Sequence, residues 1–369
     1  GPRMWRIARE HDLYTVGDWL EHRYGRSVRL TIVILLWLGT LAILAGQLIA
    51  VAWVLDAVAG VPKVVGCLIG GLVMTAYFAA GGLLTSAWVN LVQLVVLLAG
   101  FTVAVPLVLS GAGGWNAVRA AAPTADYFGF WGGDGAGWAY VALLVPAFIV
   151  SPGLIQKVYG ARDERTVRLG VGLSAAALAL FAFVPPVLGM MARVYAPTLP
   201  NAELALPTVL TVALPPALGA LGLAAVFSAE ISSADAILFM LSTSLSEDLY
   251  RRFLRPDADD RAVLSVARVS AVAGGTLGVL LAILLPSVIG SLSIFYSLLG
   301  VSLLVPVVAG LHVRRAGVTE ALAAIVAGVV LALALRLTGV STTGAANAYM
   351  WGLVGSAVVF TIVLLLRKR

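Results

Sequence analysis

Charge is scarce in this chain of 369 residues: Asp, Glu, Lys and Arg together make up 11% of it, against 61% hydrophobic residues. With a mean hydropathy of +1.01, there is too little polar surface to cover a soluble domain of this length, and a polytopic membrane protein is expected. One cysteine, Cys67, excludes an internal disulfide. Three scattered histidines, His11, His22 and His312, give no metal-ligand spacing. Paired carboxylates and a Ser/His constellation at one membrane depth are also lacking, which argues against a membrane enzyme. No repeated filter or pore loop speaks for a channel. The formal charge of +6 is compatible with nucleic acid, but the basic residues sit in short clusters between apolar stretches, and membrane topology explains them better. The first 28 residues are polar, aromatic and basic, without the charged-then-apolar order of a signal peptide. Position 1 is Gly rather than Met, so the chain is expected to start inside a longer protein.

What the sequence has is apolar stretches, each of roughly 20 residues, enough to cross about 30 Å of hydrocarbon. Ten are expected, at about 30–56, 63–80, 85–110, 137–155, 168–192, 214–246, 262–285, 288–311, 318–337 and 349–366. The expected organisation is an N-terminal segment 1–29 followed by one all-α membrane domain over 30–369. Ten crossings put both ends on one side. If that side is the cytoplasm, all of the 24 basic residues except Lys63, Arg119, Arg193 and Arg336 fall inside, including Lys368 and Arg369 at the end. One span more or fewer scrambles that partition, so the asymmetry supports the count and the orientation together. The longest outer connection, 111–136, reads as an interfacial loop with Trp115, Tyr127, Trp131 and Trp138 as belt aromatics.

Two stretches stand out from this frame. Within 137–155, PAFIVSPG places Pro146, Pro152 and Gly153 in mid-span. Proline removes a backbone donor and clashes with the preceding turn, so a break or a kink is expected. A break would bare backbone groups that are tolerated only where they line a cavity, and Ser151 and Gln156 add polarity beside it. The second stretch is AEISSADAILFMLSTSLSEDLY, Ala229 to Tyr250. At helical spacing Ala229, Ser232, Asp235, Ser242 and Ser246 share one side, a polar stripe inside an apolar span. Such serines often bond only to their own backbone carbonyls. Alternatively Ala229, Ser232 and Ser233, at i, i+3 and i+4, offer a carbonyl and two hydroxyls to a hard monovalent cation held weakly. Asp248, Tyr250, Arg251 and Arg252, with Glu247, read as the wet end of the helix, and Glu230 is difficult to place.

The stripe, Ala-x-x-Ser-Ser then A-D-A-x-L and S-x-S-x-x-x-DLYRR, resembles the eighth core helix of the sodium/solute symporter family. TVGDWLEHRYG, Gln47, YFAAGGLLTSAWVNLVQ and SPGLIQKVYGARDE agree in order across nearly the whole chain. The resemblance implies a partial LeuT-like inverted-repeat fold in which 30–56 to 85–110 are core helices three to five and 137–155 to 288–311 are six to ten. The last two spans are C-terminal additions, and core helices one and two are absent. It implies half of a sodium site at Ala229, Ser232 and Ser233, and a substrate pocket that includes Leu144, Phe148, Ser151, Pro152 and Gly153. Many relatives carry Asp where Asn90 stands here, in Trp88-Val89-Asn90-Leu91-Val92-Gln93. The neutral amide points to one sodium per cycle. The expected activity is therefore sodium-coupled uptake of a small organic solute by alternating access. The expected location is the cytoplasmic membrane, embedded in the lipid bilayer with no obligatory protein partner and no nucleic acid. A transporter-like sensor module of a signalling protein is the competing expectation.

Overall fold

A computed structural model describes residues 1–129, 136–338 and 347–367. Trp131, Lys368 and Arg369 lie outside the described residues, as do the side chains of residues 77 and 79–88, Trp88 among them. Helices dominate, and no strand occurs among the described residues. In order they are α1 (Pro2–Glu10), α2 (Val16–Tyr24), α3 (Arg26–Ala59), α4 (Lys63–Gly111), α5 (Trp115–Ala120), α6 (Ala136–Ile149), α7 (Pro152–Tyr159) and α8 (Glu164–Phe181). There follow α9 (Val184–Tyr195), α10 (Ala205–Val212), α11 (Pro216–Thr243), α12 (Asp260–Leu284), α13 (Val288–His312), α14 (Val318–Leu337) and α15 (Ala348–Leu366). Nine helical stretches among the described residues are long and apolar enough to cross a membrane, with Lys63–Ala76 as a shorter apolar one.

The expected spans 63–80 and 85–110 fall on one helix, α4, rather than on two. Helical bonding runs unbroken from Lys63 to Gly111, where a turn was expected between 80 and 85. At about 1.5 Å per residue these 49 residues hold more than two hydrocarbon thicknesses of helix. The Ala-Ala-Gly-Gly stretch at 79–82 contains no proline, so no backbone donor is removed and no ring clash stops the helix. Conversely, the expected span 168–192 is interrupted between α8 and α9, just before Pro185 and Pro186.

The chain forms two compact units. The first comprises Gly1–Gly39, Asp126–Ser174 and Ser293–Arg369. Here the Thr15 hydroxyl and the Asp18 carboxylate close a capping box on α2. The Trp5 indole donates to the Ala161 carbonyl (2.8 Å), and Arg6 pairs with Glu164 (2.7 Å). The Arg23 guanidinium donates to the carbonyls of Gly310, Val313 and Ala316 (3.0, 2.6 and 2.9 Å), satisfying acceptors that the end of α13 leaves open. Arg367 reaches the buried Glu320 carboxylate (3.0 Å). Every segment joined in this way is one that the basic residues assign to the same side. The close crossing of α14 and α15 needs Gly328, where a Cβ would sit 2.8 Å from that of Ser356.

The second unit comprises Thr40–Ala125 and Ala175–Leu292. Its apolar core gathers Phe101, Val108, Leu188, Met191, Leu210 and Ala225. A Cβ on Gly100 would lie 2.6 Å from that of Ala225, so glycine sets how closely α4 meets α11. The Glu203 carboxylate accepts from the Trp53 indole and from the Val288 N–H, both at 2.6 Å, and Lys63 donates to the Leu285 carbonyl (2.5 Å). These meet at chain segments that the charge partition assigns to the other side.

Candidate functional site

Helix α11 starts with Pro215 as its N-cap and Pro216 in the first turn, where a missing N–H costs nothing. It carries the polar stripe in the second unit. Both the Ser232 and the Ser233 hydroxyl donate to the Ala229 carbonyl, at 3.1 and 2.9 Å. Ala229 and Ser232 are half-buried, and Ser233 is exposed. Three oxygens of one helical turn are thus held together. Each hydroxyl spends its proton on the carbonyl and keeps its lone pairs for a cation. Back-bonding and cation binding are therefore compatible readings of the same turn. Three oxygens from one side do not enclose an ion, so further ligands must come from another segment or from water. Glu230, next in sequence, is half-buried.

Further along, Ser242 and Thr243 both donate to the Phe239 carbonyl (3.0 and 2.8 Å), repeating the pattern. From Ser244 to Leu254 the winding changes to a π-helix. The wider turn shifts which side chains face inward. Glu247 stays exposed and pairs with Arg251 (3.6 Å), as expected of a wet helix end. Asp248, expected there too, is buried at 8% exposure, and Asp235 at 1% is more deeply so.

The break expected in 137–155 is present in the first unit. Helix α6 stops at Ile149 and α7 begins at Pro152, with Val150 and Ser151 between them. Pro146 lies inside α6, so the interruption belongs to the Ser-Pro pair. The Ser151 carbonyl accepts from the N–H groups of Leu154 and Ile155 (3.1 and 3.0 Å), while its hydroxyl makes no capping bond. Leu144 and Phe148 lie four residues apart on one face of α6. Leu144 packs against the buried cluster of Leu143, Val301 and Tyr349. The Phe148 ring is 46% exposed and stacks on Tyr296, centroids 5.3 Å apart. Pro152 is buried, and Ser151 and Gly153 are half-buried. These five residues are brought together around the break. Ala229, Ser232 and Ser233 form their own group in the second unit.

Asn90 and Gln93 lie one turn apart on α4, and the side-chain oxygens of both are buried without a hydrogen-bond partner. Two features are not anticipated above. Tyr296 sits in an apolar run, SLSIFYSLLG, where nothing distinguishes it from a core aromatic. The second interruption, before Pro185-Pro186, did have a signal in its double proline.

Comparison with known proteins gives consistent results. The model of the sodium:solute symporter family matches residues 4–328. The sodium/pantothenate symporter of Escherichia coli (strain K12) is 28% identical, the match covering 93% of this chain and 73% of that protein. High-affinity choline transporter 1 of Caenorhabditis elegans is 24% identical over 88% of this chain and 59% of its own length. Among solved structures, a Na+-coupled sialic acid symporter in a substrate-bound, outward-open state superposes with a TM-score of 0.81 at 21% identity. That match covers 99% of this chain and 79% of the symporter, and it identifies the fold as LeuT-like.

Proposed function

The chain belongs to the sodium:solute symporter family, a multi-pass membrane family, and from that premise we propose that it takes part in sodium-coupled uptake of a small organic solute by alternating access. The observation that carries the reading is the turn at Ala229, where two hydroxyls each lie within 3.1 Å of one carbonyl oxygen on a membrane helix. Such a set suits a hard monovalent cation that must later be released, since no fixed carboxylate locks it in place. In this reading Ala229, Ser232 and Ser233 bind the sodium that is transported. Leu144, Phe148, Ser151, Pro152 and Gly153 line the solute pocket, with Tyr296 backing Phe148. In this reading both ends of this chain lie on the cytoplasmic side of the cell membrane, which the clustering of basic residues supports. Sodium entering down a membrane potential supplies about 2.3 kcal/mol per 100 mV, to which its concentration gradient adds.

The test is uptake into proteoliposomes under an imposed sodium gradient, with pantothenate, choline, glucose and sialic acid as the first solutes. Replacing Ser232 or Ser233 with Ala is expected to raise the sodium requirement while the helical signal and melting point stay in place. Sodium dependence unchanged in both variants would remove the turn at Ala229 from the account.

A further inference from the structure

A cavity of about 780 Å³ in the first unit is lined by none of the five residues at the break, although Leu144 packs behind its wall residues Leu143, Val301 and Tyr349. Its walls come from α6, α13, α14 and α15, and they are mostly apolar: Leu143, Val301 and Leu333 are among them. Its size is that of sites which hold small molecules, roughly 300–1,000 Å³. Two features set it apart from a gap that lipid chains merely fill. Arg336, in the last turn of α14, lines it and is exposed, and no ion pair engages it among the described residues. Tyr349, 5% exposed, also lines it, and its hydroxyl has no hydrogen-bond partner. Tyr140, half-exposed in the wall, and Trp138, half-exposed two residues before it in α6 and outside the wall, are residues of the kind that settle at the level of lipid head groups. A mostly apolar cavity lined by a cation and by tyrosines at the ends of α6, α14 and α15 matches one chemistry: a negatively charged head joined to an apolar tail.

We propose that this cavity binds one acyl chain of an anionic phospholipid, with the phosphate of its head group held by Arg336. The tail replaces contacts that an empty apolar cavity lacks. The guanidinium suits a phosphate better than a zwitterionic head, whose own cation offsets the attraction. The site shares no lining residue with the proposed sodium and solute sites and needs no transport to be detected.

The experiment is native mass spectrometry of the chain purified in neutral detergent and titrated with dioleoyl-phosphatidylglycerol, dioleoyl-phosphatidylcholine or oleate. One phosphatidylglycerol should be retained about five-fold more than phosphatidylcholine, the factor that corresponds to about 1 kcal/mol for one basic residue near an anionic lipid. Arg336→Gln, on an exposed side chain, should abolish that preference. Leu333→Trp, also exposed, should lower retention of both lipids by filling the mouth. Equal retention of the two phospholipids by the native chain, or a preference that survives Arg336→Gln, would overturn the proposal. Oleate held as tightly as phosphatidylglycerol would assign the cavity to a fatty acid instead, and lipid loss accompanied by dimers would assign it to a second copy of this chain.

Discussion

The turn at Ala229 and the break at Ser151 present polar groups inside a membrane protein by opposite means. On α11 the helix stays whole, its backbone bonds are kept, and hydroxyl oxygens are added on top of a carbonyl that already serves the helix. Between α6 and α7 the helix is interrupted, and the polar groups on offer belong to the backbone and to an uncapped serine. The first device concentrates acceptors in one small volume, which suits a bare cation. The second mixes donors, acceptors and an exposed aromatic ring, which suits an organic molecule with both polar and apolar parts. Under the proposed assignment, the ion site is added to an intact helix, whereas the solute site coincides with a break between two.

That contrast makes the two groups separable by kinetics. Removing both hydroxyls, Ser232→Ala with Ser233→Ala, should raise the sodium concentration at half-maximal uptake by about ten-fold or more. Each bond to a charged group contributes roughly 1.5–3 kcal/mol, and neighbouring losses are not additive. The solute KM at saturating sodium should move much less. A double variant whose sodium curve is unchanged while its solute KM rises would reverse the assignment. In the opposite direction, Phe148→Ala removes the stack on Tyr296 and an exposed ring. The solute KM should rise about two- to ten-fold, from a ring pair worth about 0.5–1.5 kcal/mol. Tyr296→Ala should give a similar but smaller change. A Phe148→Ala variant that shifts sodium dependence first would show that the break serves the ion.

The membrane class, most span boundaries and the break beside Pro152 are legible in the sequence because each has a strong local cause. Runs of apolar residues need no partner to be recognised, and a proline acts on its own turn. The expected span 318–337 coincides with α14 for this reason. The turn expected near 80–85 is absent because two glycines weaken a helix by about 1 kcal/mol each without obliging it to stop. Asp248 is buried because the winding switches to π at Ser244, a change that no residue in SLSEDLY announces. At the candidate sites, the hydroxyl triplet is legible from i, i+3 and i+4 spacing alone. Tyr296 is not, since its role comes from contact with Phe148, more than a hundred residues earlier in the chain. Glu203 likewise reads as a loop acid until its carboxylate is seen to accept from Trp53 and Val288.

The smallest expected effect concerns how many ions move. A second sodium would bring a second positive charge into the same unit, and a carboxylate at position 90 would offset the cost of removing it from water. Asn90 supplies only an amide, and its buried oxygen, like that of Gln93, has no partner to polarise it. A neutral oxygen solvates a cation without neutralising it, so this pair adds polarity to α4 but no charge. Uptake by the native chain should therefore depend on sodium with a Hill coefficient of about one, and Asn90→Ala should leave that slope unchanged. The measurement bears on the same contrast, because a single ion at the Ala229 turn is the case in which the ion site and the solute site share no residue. A coefficient clearly near two that falls on replacing Asn90 would place a second ion on α4, and the cation chemistry of the second unit would then extend beyond one helical turn.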